Sequence, residues 1–110
     1  GGTDLVARHY AAAATRMANV QMQVVPMPGA GGARGSKFVA EAAADGHTLL
    51  FGTMGSNITA PLLNDVGYQP ESFEPIGIVS APSFVFAVRP DFQAGRLQEL
   101  VAQARRQRLT

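Results

Sequence analysis

The feature that most restricts this chain is a repeated change of hydrophobic period along its length. Over residues 4–18, Leu5, Val6, His9, Ala13, Ala14 and Met17 recur at helical spacing, and an Ala run adds strong helix propensity. Thr3 and Asp4 suit the cap and first turn of that helix, and Asn19 suits its end. The period then drops to two over residues 20–25, a Val-rich strand pattern stopped by Pro26 and Pro28. A second helix is expected over about 33–44, burying Phe38, Val39 and Ala42, with Asp45-Gly46 ending it. Residues 48–51 form a short apolar run, as in a strand buried on both faces. A short helix is expected over 58–63, irregular chain over 64–75, and strands over 76–79 and 84–88. After a turn at 90–95, Leu97, Leu100, Val101 and Ala104 mark a last helix ending near Arg106.

Helices alternating with strands, joined by connections long enough for crossovers, predict an α/β fold with a mainly parallel sheet flanked by helices. Composition agrees with a packed domain. Hydrophobic residues make up 46% and charged residues 15%, which excludes a chain too polar to bury a core. With no Trp and only two Tyr, that core is expected to be mostly aliphatic. A net charge of +1 without a basic stripe excludes a general nucleic-acid binder. Arg105, Arg106 and Arg108 read as cations at the negative end of the last helix. No Cys is present, so disulfides and Cys-based metal sites or nucleophiles are excluded. No run approaches ~18 apolar residues, so no membrane insertion is expected. The opening Gly1-Gly2-Thr3-Asp4 runs almost at once into a helix, so a leader and a first strand are expected upstream.

In an open α/β sheet, ligands gather beyond the carboxyl ends of the strands. Three loops fall at that edge, over residues 1–4, 28–32 and 52–57, all rich in Gly and small polar residues. Gly lets backbone approach a ligand closely, and helix starts offer unpaired N–H groups, a combination suited to a carboxylate or another small anion. The alternative is that Gly serves only the tight strand-to-helix turns. Phosphate motifs fail on spacing. In Gly29-Ala30-Gly31-Gly32-Ala33-Arg34-Gly35-Ser36-Lys37 no Lys directly follows a Gly, and Arg34 occupies the third Gly position of a dinucleotide fingerprint. His9 and His47 lack metal-ligand spacing, and Ser56 is not in a nucleophile elbow. Asp4 is expected to cap the first helix or to bond a polar ligand group. No catalytic residue, metal site or cofactor is expected.

The same motifs, in order, resemble those of the tripartite tricarboxylate transporter receptors, the Bug proteins. Gly1-Gly2-Thr3-Asp4-Leu5-Val6-Ala7-Arg8 is similar to the family's Gly-Gly, Asp and Ala-Arg segment, and Pro28-Gly29-Ala30-Gly31-Gly32 to its Pro-Gly-Ala-Gly-Gly loop. Asp45-Gly46-His47-Thr48-Leu49, Gly52-Thr53, Tyr68-Gln69-Pro70 and Phe73-Glu74-Pro75-Ile76 match further landmarks. Met27, Ala33 and His47 depart from the usual Arg, Asn and Tyr at loop edges, which bears on ligand preference and leaves the frame intact.

The resemblance implies a type II periplasmic binding protein fold of two lobes. Residues 1–110 would be the N-terminal portion of lobe one, with the first strand, the second lobe and the C-terminal return lying outside it. It implies a periplasmic receptor, monomeric at full length, that binds a small organic acid and delivers it to membrane permease subunits. Such acids are di- or tricarboxylates, acidic amino acids or aromatic carboxylates. On that reading Gly1, Gly2, Thr3 and Asp4 hold a ligand carboxylate, with Thr3 and nearby N–H groups donating. Thr53, Met54, Gly55 and Ser56 form the opposite wall, and Gly31 and Gly32 contribute less. Two other classes stay open from the residues alone. One is a fragment of an α/β enzyme acting on a small carboxylate at the same loops; the other is an interaction module without a small ligand.

Overall fold

The first helix, α1 (Gly2–Ala18), forms where the period predicts it and begins two residues earlier. Asn19 closes it with φ 52°, the left-handed conformation that Asn tolerates at a helix end. Its packing face is not the expected one. Ala7 and Ala11 are buried and Asp4 and Ala14 half-buried, while Leu5, Val6, Tyr10 and Met17 on the other side are exposed. Small side chains lie on the covered side of α1, and the large apolar ones lack a covering layer. The computed structural model describes residues 2–107 and divides into two units, Gly1–Ile76 and Gly77–Thr110.

Within the first unit a tight turn at Ala30–Gly32 leads directly into α2 (Ala33–Ala40). The α-helix is shorter than the pattern suggested, but turns at Glu41 and Ala42 continue it with bonds to Lys37 and Val39. The expected buried side is corrected. Ala33 and Ser36 are buried, Val39 and Ala42 are half-buried, and Phe38 is 52% exposed. The first turn of α2 meets a wide helical turn at Gly55–Thr59, and only small side chains fit there. That turn runs into α3 (Ala60–Leu63), so the helix expected over 58–63 begins earlier and in a looser winding. Residues 70–72 add a further helical turn within the segment expected to be irregular. In the second unit, α4 (Leu97–Arg106) has the bounds read from the sequence, with Arg105 and Arg106 in its last turn. Glu99 accepts from the Gly95 N–H at 2.8 Å, and the Gln103 side chain donates to the Gln93 carbonyl at 2.7 Å. These bonds fix the preceding turn onto α4.

The expected sheet does not form among the described residues. Residues 20–25, 48–51, 76–79 and 84–88 carry no strand and no backbone hydrogen bond to another segment. A strand exists only through its partner: the ladder satisfies its N–H and C=O groups, and a packed face covers its side chains. Here the side chains also lack cover, with Ile78 and Phe86 each 87% exposed. The β-branched and aromatic pattern is present, while the pairing that turns it into a sheet is not.

Candidate functional site

Two of the three predicted loops come together. Gly29 (φ 126°), Ala30 (φ 48°), Gly31 (φ 63°) and Gly32 (φ 96°) all occupy the positive-φ region, and Gly32 donates to the Gly29 carbonyl at 2.9 Å. Such a run is accessible because three of its four residues are Gly. It sets the entry into α2 and brings Gly32 against Ser56. A Cβ added at Gly32 would lie 3.0 Å from the Ser56 Cβ.

The second loop is a helix start built from Thr53 and Ser56. The Ser56 N–H donates to Thr53 Oγ1 at 3.2 Å, and the Thr53 N–H donates to Ser56 Oγ at 3.2 Å. The Asn57 N–H donates to the Thr53 carbonyl at 2.9 Å. This is the reciprocal geometry of a capping box, with Ser in the place usually held by Glu or Gln. The Ser56 hydroxyl also donates to Asn57 Oδ1 at 2.6 Å. Ser56 is buried, whereas Thr53, Met54 and Gly55 are exposed at the surface of the turn. The sequence reading grouped these four as one wall. The geometry separates an inner residue, whose hydroxyl is already engaged, from three outer ones beside the N–H groups of a helix start.

Three residues that sequence reasoning left out of the site brace it: Ser36 and Asn57 join the two loops, and Tyr68 anchors the second. Ser36, 1% exposed, lies within 3.4 Å of both the Gly32 carbonyl and Asn57 Oδ1. Asn57 Oδ1 thus faces two serine hydroxyls. The Tyr68 hydroxyl donates to the Ser56 carbonyl, and its ring meets that of Phe73 edge-on at 5.7 Å. A Ser at the fourth position after Gly32 was the one available signal for the Ser36–Gly32 bond. The Tyr68 and Asn57 contacts span 12 and 21 residues and have no local signature.

The third loop occupies the first turn of α1. Gly2 and Thr3 are exposed; Gly1 lies outside the described residues. Asp4 accepts from Arg8 Nε through Oδ2 at 3.0 Å, while its buried Oδ1 has no hydrogen-bond partner. An acceptor withdrawn from water and left unpaired is costly unless something donates to it. His9 Nδ1 lies 2.8 Å from the Leu5 carbonyl, and the backbone N–H of His47 donates to Asp45. Both histidines are exposed, and no cluster of three metal-ligating side chains occurs among the described residues. In the second unit an open cleft of about 500 Å³ lies between the 89–93 turn and α4. It contains none of the predicted site residues, and Arg89 and Asp91 on its rim face each other at 3.4 Å.

The family model of the tripartite tricarboxylate transporter family receptor matches residues 6–110. This chain belongs to that receptor family. It is 33% identical over 103 residues to the UPF0065 protein in the TAR-I ttuE-ttuC' intergenic region of Agrobacterium vitis, covering 93% of this chain and 30% of the relative. It is 30% identical over 112 residues to Protein BugT of Bordetella pertussis, covering 96% and 33%. The chain therefore spans about a third of the length of the curated relatives it matches. No solved structure gives a significant match. Membership bears out the resemblance read from the loop series and places the chain among periplasmic binding-type proteins. No helix among the described residues is long and apolar enough to cross a membrane.

Proposed function

We propose that this chain is the N-terminal portion of lobe one of a non-catalytic, periplasmic solute receptor. Its ligand is a small organic acid: a di- or tricarboxylate, an acidic amino acid or an aromatic carboxylate. In the complete receptor the Gly1-Gly2-Thr3-Asp4 turn holds a ligand carboxylate. The exposed Thr53, Met54 and Gly55 form the facing wall, with Ser56 shaping it from within and Gly31 and Gly32 supporting it. Residues 20–25, 48–51, 76–79 and 84–88 pair as a mainly parallel sheet once the remaining chain supplies partners. A second lobe closes the cleft, and membrane permease subunits receive the acid from a monomeric receptor.

The observation that carries this reading is the approach of Gly32 to the Thr53–Ser56 capping box within a chain of a receptor family. Two small-residue turns meet beside two helix starts, and such starts favour anions without a dedicated Arg or Lys. The unpaired Oδ1 of Asp4 supports a role in accepting from a ligand hydroxyl, amine or water.

Calorimetry on the full-length receptor with a panel of organic acids tests the assignment. The double variant Thr53→Val, Ser56→Ala is expected to lose at least about tenfold in affinity, the value of one or two hydrogen bonds. Unchanged affinity removes the second loop from the site.

A further inference from the structure

Tyr68 lies outside all three predicted loops, yet it is the most buried aromatic residue of the described chain at 5% exposure. Its hydroxyl donates to the Ser56 carbonyl, one residue from the Asn57 side chain that accepts from Ser56 and faces Ser36. The carbonyl it takes belongs to the wide turn Gly55–Thr59. In this winding the Gly55 carbonyl accepts from the Ala60 N–H five residues on, and the corresponding partner of the Ser56 carbonyl is Pro61, which has no N–H, so that carbonyl needs another donor. Phe73 fixes the tyrosine ring from its edge, which sets the direction of the hydroxyl. The peptide joining Ser56 and Asn57 is therefore held from both sides, its N–H by the Thr53 carbonyl and its C=O by the Tyr68 hydroxyl. Because Gly32 rests on the Ser56 Cβ, any shift of that peptide moves the glycine turn as well.

We infer that Tyr68 is a positioning residue: its hydroxyl locks the Ser56 peptide, and through it holds the 52–57 and 28–32 loops as one preorganised wall. This rests on the proposed site reading, which it extends to a residue that touches no ligand. An unlocked turn would have to be ordered at the moment of binding, and that ordering weakens affinity.

Tyr68→Phe in the full-length receptor tests the lock, because it removes one donor and keeps the ring and its contact with Phe73. The first readout needs no ligand. Amide hydrogen exchange at Gly32 and Asn57 should accelerate by about 3- to 10-fold, the range set by losing one hydrogen bond, while amides in the middle of α1 stay unchanged. The second readout is calorimetric affinity for citrate and succinate, which should fall by a similar factor for whichever acid binds. Acceleration confined to Asn57 overturns the coupling of the two loops, and no acceleration at either amide overturns the lock itself. Acceleration spread equally over α1 means a general loss of stability, and also overturns it. If Thr53→Val, Ser56→Ala weakens binding while Tyr68→Phe leaves affinity intact, the site reading stands and the positioning role falls. Phe73→Leu, which keeps the hydroxyl and frees the ring, should accelerate the same two amides by a smaller factor.

Discussion

The two units of this chain solve the problem of burial differently. In Gly1–Ile76, small and polar side chains fill the interior: among the described residues Ala7, Ala11, Ala33, Ser36, Ser56 and Tyr68 are buried, and each of the three polar ones has hydrogen-bond partners. In Gly77–Thr110 no described residue is buried, and Ile78, Phe84, Val85 and Phe86 are all at least 78% exposed. The first arrangement closes through turns, caps and one cross-chain tyrosine bond. The second carries apolar side chains that the described residues leave uncovered. The difference teaches that the contact between the two loops is specified within this segment, whereas on the proposed reading a sheet core would draw on chain elsewhere in the receptor.

The most severe test of that contrast is Phe86→Ala in the full-length receptor. If residues 84–88 are a core strand there, the loss should be about 3–5 kcal/mol, the usual result of emptying a buried aromatic site. If Phe86 stays as exposed as it is here, the change should lie within about 0.5 kcal/mol. Urea denaturation separates the two outcomes, and the smaller one would remove this segment from the proposed sheet.

Next in size is a pair of glycine substitutions in the first unit. Gly31 and Gly32 share positive φ but differ in surroundings: nothing lies near Gly31, and Ser56 lies against Gly32. Gly31→Ala should cost about 1 kcal/mol for the left-handed backbone alone. Gly32→Val should cost about 3 kcal/mol, because the added side chain also collides with the Ser56 Cβ. Equal losses would mean that the two loops do not press on each other in solution. Asn57→Leu follows at about 2 kcal/mol, since Ser56 and Ser36 both lose an acceptor in a buried place.

These variants also mark what was legible in the sequence. α1 and α4 were readable because period, caps and terminal charges act within a few residues, and Asn19 even closes α1 as its residue type predicts. The glycine run at 28–32 was readable because positive φ selects Gly at the position itself. The inward faces of α1 and α2 were not. Periodicity marks which side is apolar, but the side that is covered, with Ala7 and Ala33 on it, depends on the fold. The strands were read from a pattern that is present, and their pairing needs partners that no local pattern supplies. Tyr68 escaped for the same reason, since a bond between residues 68 and 56 leaves no trace in the spacing of either.

The smallest expected effect separates a structural from a ligand-facing role at the start of α1. Asp4 and Arg8 form an i, i+4 pair at 3.0 Å with side chains 36% and 53% exposed. Such a pair in this orientation is worth about 0.3–0.5 kcal/mol and weakens as salt rises. Arg8→Gln in the full-length receptor should therefore lower stability by about 0.4 kcal/mol at low salt and less at high salt, with affinity for the acid unchanged. Asp4→Asn breaks the same pair, removes a negative charge from the helix start, and should cost about 1 kcal/mol in stability. It also replaces the acceptor pair that leaves Oδ1 free, so it should reduce affinity by a factor of about five, as loss of one hydrogen bond does. Reduced affinity in Asp4→Asn beside unchanged affinity in Arg8→Gln, both variants remaining folded, would mark Asp4 as part of the site. Matched affinities would leave it as a helix-start residue, and the wall built by Thr53, Met54 and Gly55 would have to bind the acid with the glycine turn alone.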